Sequence, residues 1–163
     1  GSGCIGLALA HSVESARVTL AEISEPALRV AKQNTANLRL KNRVTAFSVD
    51  VLQPAPKFLG QFDLIVSNPP YVTTKEMATL DVSVWAYEPH LALEGGEDGL
   101  DFYRAILQNF NAALRPGGTI CFEFGCGQET GVGELLEAAG FTDVMFRKDL
   151  RGVTRAVAAR KPE

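Results

Sequence analysis

The segment S-N-P-P-Y-V at 67–72 holds the residue types best suited to chemistry in this 163-residue chain. Asn68 offers a side-chain carbonyl, and Pro69 and Pro70 have no N–H to donate, so their carbonyls are acceptors on a stiff backbone. Tyr71 adds an aromatic wall. Two fixed acceptors beside a ring suit a planar –NH2 group, because they bind both hydrogens and direct the nitrogen lone pair toward an electrophile. The alternative is a rigid loop on which a tyrosine packs.

Other positions suit a cofactor that contains a nucleoside. The first residues, Gly1–Gly6, match G-x-G-x-x-G ahead of a helical stretch, a turn that binds a dinucleotide or another adenosine-bearing group. Glu22 ends an apolar run, where a carboxylate can accept hydrogen bonds from both ribose hydroxyls. Asp50 can accept from an adenine amino group, while Val51 packs on the ring or offers its backbone N–H. The alternative for Asp50 is an Asx-type turn that ends the strand.

These residues must be positioned by strands that alternate with helices. The run at 62–67 is continuously apolar and predicts a central strand buried on both faces, and R-P-G-G at 115–118 predicts the end of a helix. Residues 68–98 predict a long loop with a short helix. The periodicity predicts strands at 17–23, 43–52, 62–67, 119–125, 143–150 and 154–161, and helices at 24–40, 100–114 and 129–140. Ser24 is the predicted N-cap of the helix at 24–40, and a further helical stretch follows the Gly1–Gly6 turn.

This alternation predicts an α/β fold with a mostly parallel sheet and helices on both faces. Ligands of such sheets bind at the carboxyl ends of the strands. The Gly1–Gly6 turn would follow a first strand, Glu22 and Asp50 end the second and third strands, and Asn68 follows the fourth. We therefore expect these positions to share one rim of the sheet.

Composition narrows the class of protein. The length suits one domain, 1–163, and 46% hydrophobic residues with a net charge of −3 are typical of a soluble globular chain without a basic surface for nucleic acid. The three cysteines form no C-x-x-C pair, which argues against zinc and disulfide frameworks. No apolar stretch reaches the ~20 residues of a membrane span, and the start does not resemble a signal peptide. We expect a cytoplasmic monomer.

Several ionisable residues invite other interpretations. Glu97, Asp98 and Asp101 could form a metal site, but acidic residues at a helix start are favourable without one, and we expect no metal. We expect His11 and His90 to have no catalytic role. Glu123, at the end of a predicted strand, either contacts a loop or the cofactor amine or makes a structural hydrogen bond.

Four segments together resemble one enzyme family. They are G-S-G-C-I-G-L-A-L-A, F-D-L-I-V-S-N-P-P-Y-V, Y-E-P-H-L-A-L-E-G-G-E-D-G-L-D-F-Y-R-A-I and L-R-P-G-G-T-I-C-F-E-F-G. The chain resembles the S-adenosylmethionine-dependent peptide chain release factor glutamine N5-methyltransferases over nearly its whole length. N-P-P-Y alone is shared with amino-methyltransferases that act on adenine or guanine, whereas the third segment is more specific.

The resemblance implies a Rossmann-like class I methyltransferase fold of seven strands, the last antiparallel, and S-adenosyl-L-methionine as cofactor. It implies that Glu22 binds the ribose, that Asp50 and Val51 contact the adenine, and that Gly6 is only a small residue of the first helix. The substrate would be the glutamine of a Gly-Gly-Gln motif in release factors. The matching positions are Gly1, Ser2, Gly3 and Asn68 for the cofactor, Asn68, Pro69 and Tyr71 for catalysis, and Asn68, Pro69, Pro70, Tyr71, Glu88 and Pro89 for the substrate.

The sequence also departs from the family. Family members begin this domain with a strand that ends in Asp-x-Gly-x just before the residues matching Gly1 and Gly3, and a small helical domain precedes it. We therefore expect a chain truncated at its N-terminus relative to the family. Two alternatives remain open: an amino-methyltransferase acting on DNA or RNA, and a binding module or dehydrogenase that uses the glycine turn for NAD.

Overall fold

The computed structural model of the chain describes residues 1–79 and 89–163. They form two compact units, Gly1–Leu59 and Gly60–Glu163. Each unit has its own sheet, of two strands in the first and four in the second. Within the described ranges, no helix is both long and apolar enough to span a bilayer.

The first unit is a strand–helix–strand arrangement preceded by a helix. Strands β1 and β2 pair in parallel, with Val18 opposite Val44 and Glu22 opposite Ser48. Ser24 caps the second helix by accepting from the N–H of Ala27, as the sequence predicts. The elements are α1 (Cys4–Ser12), β1 (Val18–Glu22), α2 (Glu25–Asn37), β2 (Val44–Ser48) and a 3₁₀ turn (Lys57–Leu59). The core contains Leu7, Ala10, Leu20, Ala31, Leu40 and Val44.

The second unit contains a four-stranded sheet in the order β3-β4-β6-β5. β3 and β4 are parallel, and β6 runs antiparallel to both of its neighbours, so the antiparallel last strand is confirmed. The elements are β3 (Phe62–Ser67), α3 (Thr74–Met77), α4 (Asp101–Phe110), β4 (Leu114–Glu123), α5 (Glu129–Ala138), β5 (Thr142–Lys148) and β6 (Thr154–Arg160), with 3₁₀ turns at His90–Ala92 and Asn111–Ala113.

The R-P-G-G segment does not end a helix, so that prediction is wrong. α4 stops at Phe110, and β4 already begins at Leu114, which pairs with Phe62. The next aligned pair joins Leu64 to Thr119, so residues 115–118 bulge out of β4. Glycine at 117 permits the bulge, because its φ is +71°. The segment does change direction, as its proline and glycines predict, but it does so inside a strand because β4 is already paired with β3.

The prediction that β3 is buried on both faces is also wrong for the sheet of this unit. Among the described strands β3 pairs only with β4 and therefore lies at the edge of its sheet. Val66 is 41% exposed, and Asp63 is exposed and forms an ion pair with Arg115, with 2.5 Å between Oδ1 and Nη1. An apolar run reports hydrophobicity but does not specify the strand order.

Helix α4 attaches to β4 through a buried tyrosine. Tyr103 is 0% exposed, packs edge-on against Phe122 at 5.2 Å between ring centroids, and donates its hydroxyl to the carbonyl of Glu123 at 2.9 Å. Burial raises the pKa of Tyr103 well above its ordinary value, with smaller contributions from Tyr71 and Glu123. The hydroxyl therefore stays protonated and anchors the carboxyl end of β4.

Candidate functional site

The glycine turn of the first unit leads directly into α1. Gly3 has a left-handed φ of +80° and occupies the N-cap of the helix, with no side-chain cap. Leu7 is the first residue whose N–H is satisfied inside the helix, by the carbonyl of Gly3 at 2.8 Å. The first-turn N–H groups before it have no intrahelical acceptor, which makes this end a site for a carboxylate or another anion. The amide of Asn34 fixes the turn by donating to the carbonyl of Ser2 at 3.1 Å.

Gly6 has a packing role that the sequence analysis did not assign. A Cβ at this position would lie 2.5 Å from Cδ2 of Leu20 and 3.0 Å from Cγ1 of Val18. Both of those side chains belong to β1. Glycine therefore lets α1 approach the strand closely, which is the role of the third glycine in G-x-G-x-x-G turns.

Glu22 lies where the sequence predicts, at the last position of β1. Its side chain is 16% exposed; Oε2 contacts the amino nitrogen of Gly1, and Oε1 accepts from the N–H of Ser24 at 2.7 Å. A carboxylate has about four acceptor positions. Both oxygens thus keep lone pairs for further donors, and the carboxylate is held beside the glycine turn.

Asp50 follows β2 after two residues, instead of ending the strand as predicted. Its Oδ1 accepts from the N–H of Leu52 at 2.9 Å, which is the Asx-type turn that was the alternative interpretation. The N–H of Val49 donates to the carbonyl of Glu22 at 3.2 Å, so Glu22 and Asp50 lie at the same end of the two paired strands. Val51 is half-buried beside Asp50. Contact of this pair with an adenine stays a prediction.

In the second unit, residues 68–71 leave the carboxyl end of β3. Asn68 is exposed, Pro69 is buried, and Pro70 and Tyr71 are half-buried. Within residues 1–79 and 89–163, neither the side chain of Asn68 nor the carbonyl of Pro69 takes part in a hydrogen bond. The two predicted acceptors are therefore not used by the described part of the chain.

The segment after Tyr71 pairs with the residues that precede α4. Val72 donates to the carbonyl of Leu93 and accepts from the N–H of Gly95, both at 2.8 Å. The N–H of Thr74 donates to the carbonyl of Gly96 at 2.9 Å. The short helix predicted within 68–98 is confirmed as α3, which begins with a capping box at Thr73.

Glycine is required in this pairing because the two backbones nearly touch. A Cβ at Gly95 would lie 2.8 Å from the carbonyl oxygen of Pro70 and 2.8 Å from Cα of Tyr71. At Gly99, which has a φ of +75°, a Cβ would lie 2.4 Å from the carbonyl oxygen of Tyr71. The E-G-G-E-D-G loop thus supports the Asn68–Tyr71 segment through main-chain contacts.

Asp98 of that loop and Asp101 of α4 pair with the same arginine. Arg104 binds Asp98 through Nη2 at 2.5 Å and Asp101 through Nη1 at 3.1 Å. The hydrogen bond from Arg104 lowers the pKa of Asp98 from 3.8 to about 2. Asp101 lies in the first turn of α4, as expected. Across residues 1–79 and 89–163, no group of three or more His, Cys, Asp or Glu side chains is placed to hold a metal ion.

Three predicted positions remain, namely Glu88, Pro89 and Glu123. Glu88 lies outside the described residues. Pro89 is exposed and directly precedes the 3₁₀ turn His90–Ala92. The N–H of Ala92 donates to the carbonyl of Pro89 at 2.8 Å. The backbone carbonyl of Glu123 accepts from the hydroxyl of Tyr103, whereas the side chain of Glu123 is exposed, and the role of that side chain stays a prediction.

One residue of this region was missed by the sequence analysis. Gln128 precedes α5, is half-buried, and donates from Nε2 to the carbonyl of Tyr71 at 2.9 Å. The two residues are 57 positions apart in the chain. A lone glutamine at a helix start has no distinctive pattern, so only the tertiary structure identifies it.

Comparison with known proteins places these features among methyltransferases. Residues 1–86 match the family described as "Methyltransferase small domain". The chain is 42% identical over 159 residues to a "Release factor glutamine methyltransferase" of Clostridium acetobutylicum, and 43% identical over 162 residues to the protein of that name from Cereibacter sphaeroides. These alignments cover 98% and 99% of this chain but 56% and 57% of the relatives, so the chain spans about half their length.

Solved structures support the fold. A methyltransferase from Pyrococcus furiosus aligns with a TM-score of 0.71 at 17% identity, covering all of this chain and 72% of that one. The hMettl16 catalytic domain in complex with a MAT2A 3'UTR hairpin aligns with a TM-score of 0.72 at 17% identity, covering 98% and 60%. The Rossmann-like class I methyltransferase fold is confirmed. At this identity the likeness concerns the fold alone.

Proposed function

We propose that this chain, which belongs to the methyltransferase small domain family, is the catalytic domain of a protein that methylates the side-chain amide nitrogen of a glutamine. The substrate is the Gly-Gly-Gln motif of peptide chain release factors, and the methyl donor is S-adenosyl-L-methionine. The main support is 40–43% identity over almost the whole chain to several proteins named release factor glutamine methyltransferase. We place the activity in the cytoplasm, where translation factors work.

The residues of the first unit fit this cofactor. The uncapped first turn of α1 offers N–H donors to the carboxylate of its methionine part. Glu22, fixed by Ser24 and partly buried, offers acceptors for ribose hydroxyls. Asp50 keeps one carboxylate oxygen outside the Asx turn, which would accept from the adenine amino group, and Val51 would pack on the ring. When bound, the cofactor supplies an electrophilic methyl group on a positively charged sulfur.

The residues of the second unit suit the acceptor amide. A carboxamide nitrogen is a poor nucleophile because its lone pair is delocalised into the carbonyl. The side-chain oxygen of Asn68 and the carbonyl of Pro69 would accept its two N–H bonds and fix its orientation, and Tyr71 would flank it. As positive charge grows on the nitrogen, these two hydrogen bonds strengthen, so they stabilise the transition state more than the ground state.

Alignment is therefore the main task of the protein, and no strong base is needed at the nitrogen before attack. Neither histidine is assigned a catalytic role. After transfer, the nitrogen loses one proton to solvent and becomes a secondary amide. Glu88 and Pro89 would help form the mouth of the substrate site.

The test compares substrates of different classes. The complete protein is incubated with isotope-labelled cofactor and either a release-factor domain, the same domain with its motif glutamine replaced by alanine, DNA, or RNA. We expect one added methyl group on the intact motif only, located by mass spectrometry of peptides. Label found only in nucleic acid would refute the proposal in favour of a nucleic-acid amino-methyltransferase.

The dehydrogenase alternative is tested by binding. Isothermal titration calorimetry with S-adenosylhomocysteine and with NAD separates the two cofactors that suit a glycine turn. We expect heat of binding with S-adenosylhomocysteine alone. Binding of NAD alone would contradict the assignment.

A further inference from the structure

Gln128 connects three separate backbone segments of the second unit. Its Nε2 donates to the carbonyls of Tyr71 and Gly99, at 2.9 and 3.4 Å. Its Oε1 accepts from the N–H of Gly125 at 2.9 Å. Both ends of the side-chain amide are thus in use, which neither a carboxylate nor an apolar side chain of the same size can reproduce.

The glycines around Gln128 leave room for this amide and little more. A Cβ at Gly99 would lie 2.3 Å from its Nε2. A Cβ at Gly125 would lie 2.9 Å from its Oε1 and 3.0 Å from Cδ2 of Tyr71. The side chain therefore occupies a slot whose walls are the main chains of the segments it joins.

The contact with Tyr71 acts at one end of the acceptor segment. The other end is fixed by β3, where Ser67 pairs with Phe122 of β4. Between the two ends, Pro69 and Pro70 have their φ angles locked near −65°. Few torsions remain free, so a shift of the Tyr71 carbonyl is passed along the backbone to Pro69 and Asn68.

We propose that Gln128 is a positioning residue that sets the orientation of the Asn68 and Pro69 acceptors by holding the carbonyl of Tyr71. This inference rests on the proposed function, in which those acceptors bind the substrate amide. Alignment is the main catalytic contribution there, and a misplacement of about 1 Å can cost ~100-fold in rate. Gln128 itself touches neither substrate nor cofactor in this scheme.

Two substitutions in the complete protein separate the contacts. Gln128→Leu removes all three hydrogen bonds, whereas Gln128→Glu keeps the acceptor for Gly125 and removes both donors when the introduced carboxyl is ionised. Gln108→Leu, at an exposed position of α4, is the matched control. Rates are expressed per molecule of bound S-adenosylhomocysteine, so that unfolded protein does not count.

We expect both Gln128 variants to lower kcat by about 10- to 100-fold near neutral pH, with KM and cofactor affinity changed by less than about threefold. The rate of Gln128→Glu relative to wild type should recover as the pH is lowered, because the neutral carboxyl regains one O–H donor for the carbonyl of Tyr71. Gln128→Leu should not recover. Equal pH profiles of the two variants, or wild-type kcat in both, would overturn the inference.

A second measurement does not depend on the reaction. Hydrogen–deuterium exchange should be faster in Gln128→Leu than in wild type at the N–H groups of Val72 and Thr74, which pair with the loop that Gln128 holds. Gln108→Leu should leave both unchanged. Unchanged exchange in Gln128→Leu would refute the positioning role even if the substrate is not a glutamine, whereas failure of wild type to methylate the motif concerns only the proposed function.

Discussion

Asn68→Ala tests whether turnover and folding stability depend on different groups. The side chain is exposed and, within the described residues, makes no hydrogen bond. Its loss should change the free energy of unfolding by no more than about 0.5 kcal/mol, as for other exposed positions. Removing one preorganised hydrogen-bonding group from a developing charge costs about 10²–10³-fold in kcat, or about 2.7–4 kcal/mol. The effect on the transition state should therefore exceed the effect on folding several-fold.

The assay measures both quantities on the same preparations of the complete protein. Single-turnover methylation of a release-factor domain gives the chemical step, urea unfolding gives stability, and calorimetry with S-adenosylhomocysteine gives cofactor affinity. Asn42→Ala is the matched control, because Asn42 is also an exposed asparagine outside regular helices and strands. It should match wild type in all three measurements.

Two results would refute the reasoning about Asn68. A fall in kcat of less than about threefold would mean that its oxygen does not stabilise the transition state. A loss of stability of about 2 kcal/mol or more would mean that the side chain has a folding role that the structure does not show, because exposed substitutions rarely exceed 0.5 kcal/mol.

The other predictions concern the E-G-G-E-D-G loop. Gly95→Ala should destabilise the protein by about 1–3 kcal/mol and lower kcat, because the added Cβ meets the main chain of Pro70–Tyr71, which cannot rotate away. Gly152→Ala adds a Cβ that meets no atom within 4 Å, so it should cost only about 1–2 kcal/mol through its left-handed φ and leave kcat unchanged. An equal fall in kcat in the two variants would contradict the packing account. The folded-state pKa of Asp98 is depressed to about 2, so its pairing with Arg104 stabilises the fold above pH 3.8 and is lost as the pH falls toward 2. Both side chains are about half exposed, so the ion pair contributes less than about 1 kcal/mol to the free energy of unfolding. When unfolding is measured as a function of pH, Arg104→Gln should lack this loss of stability between pH 3.8 and 2.

Much of the local structure could be predicted from the sequence. Ser24 is the predicted N-cap of α2, Glu22 ends β1, and α3 lies within the long segment after β3. These features depend on residues close together in the chain, such as a hydroxyl near a free N–H or a run of apolar side chains. The functional interpretation of Asn68–Tyr71 also depends only on neighbouring residues, because the acceptors and the prolines that stiffen them lie within four consecutive positions.

The errors came from features that depend on pairing between distant residues. R-P-G-G has the local properties of a turn, but the register with Phe62 and Leu64 makes it a bulge of β4. Asp50 comes two residues after the end of β2, because the parallel ladder with β1 stops at Ser48. The register of two paired strands depends on the side chains and backbones of both, so it cannot be predicted from the sequence of one strand alone.

The sequence by itself determined the type of fold and which residues have suitable chemistry. The tertiary structure decided how those residues are held. Glycine at 95 and 99 is explained by the main chain of Tyr71, more than twenty positions away, and Gln128 reaches the same residue from 57 positions away. Hydrogen-bonding capacity belongs to each residue and can be known from its identity, whereas an acceptor's orientation depends on which distant backbone folds against it.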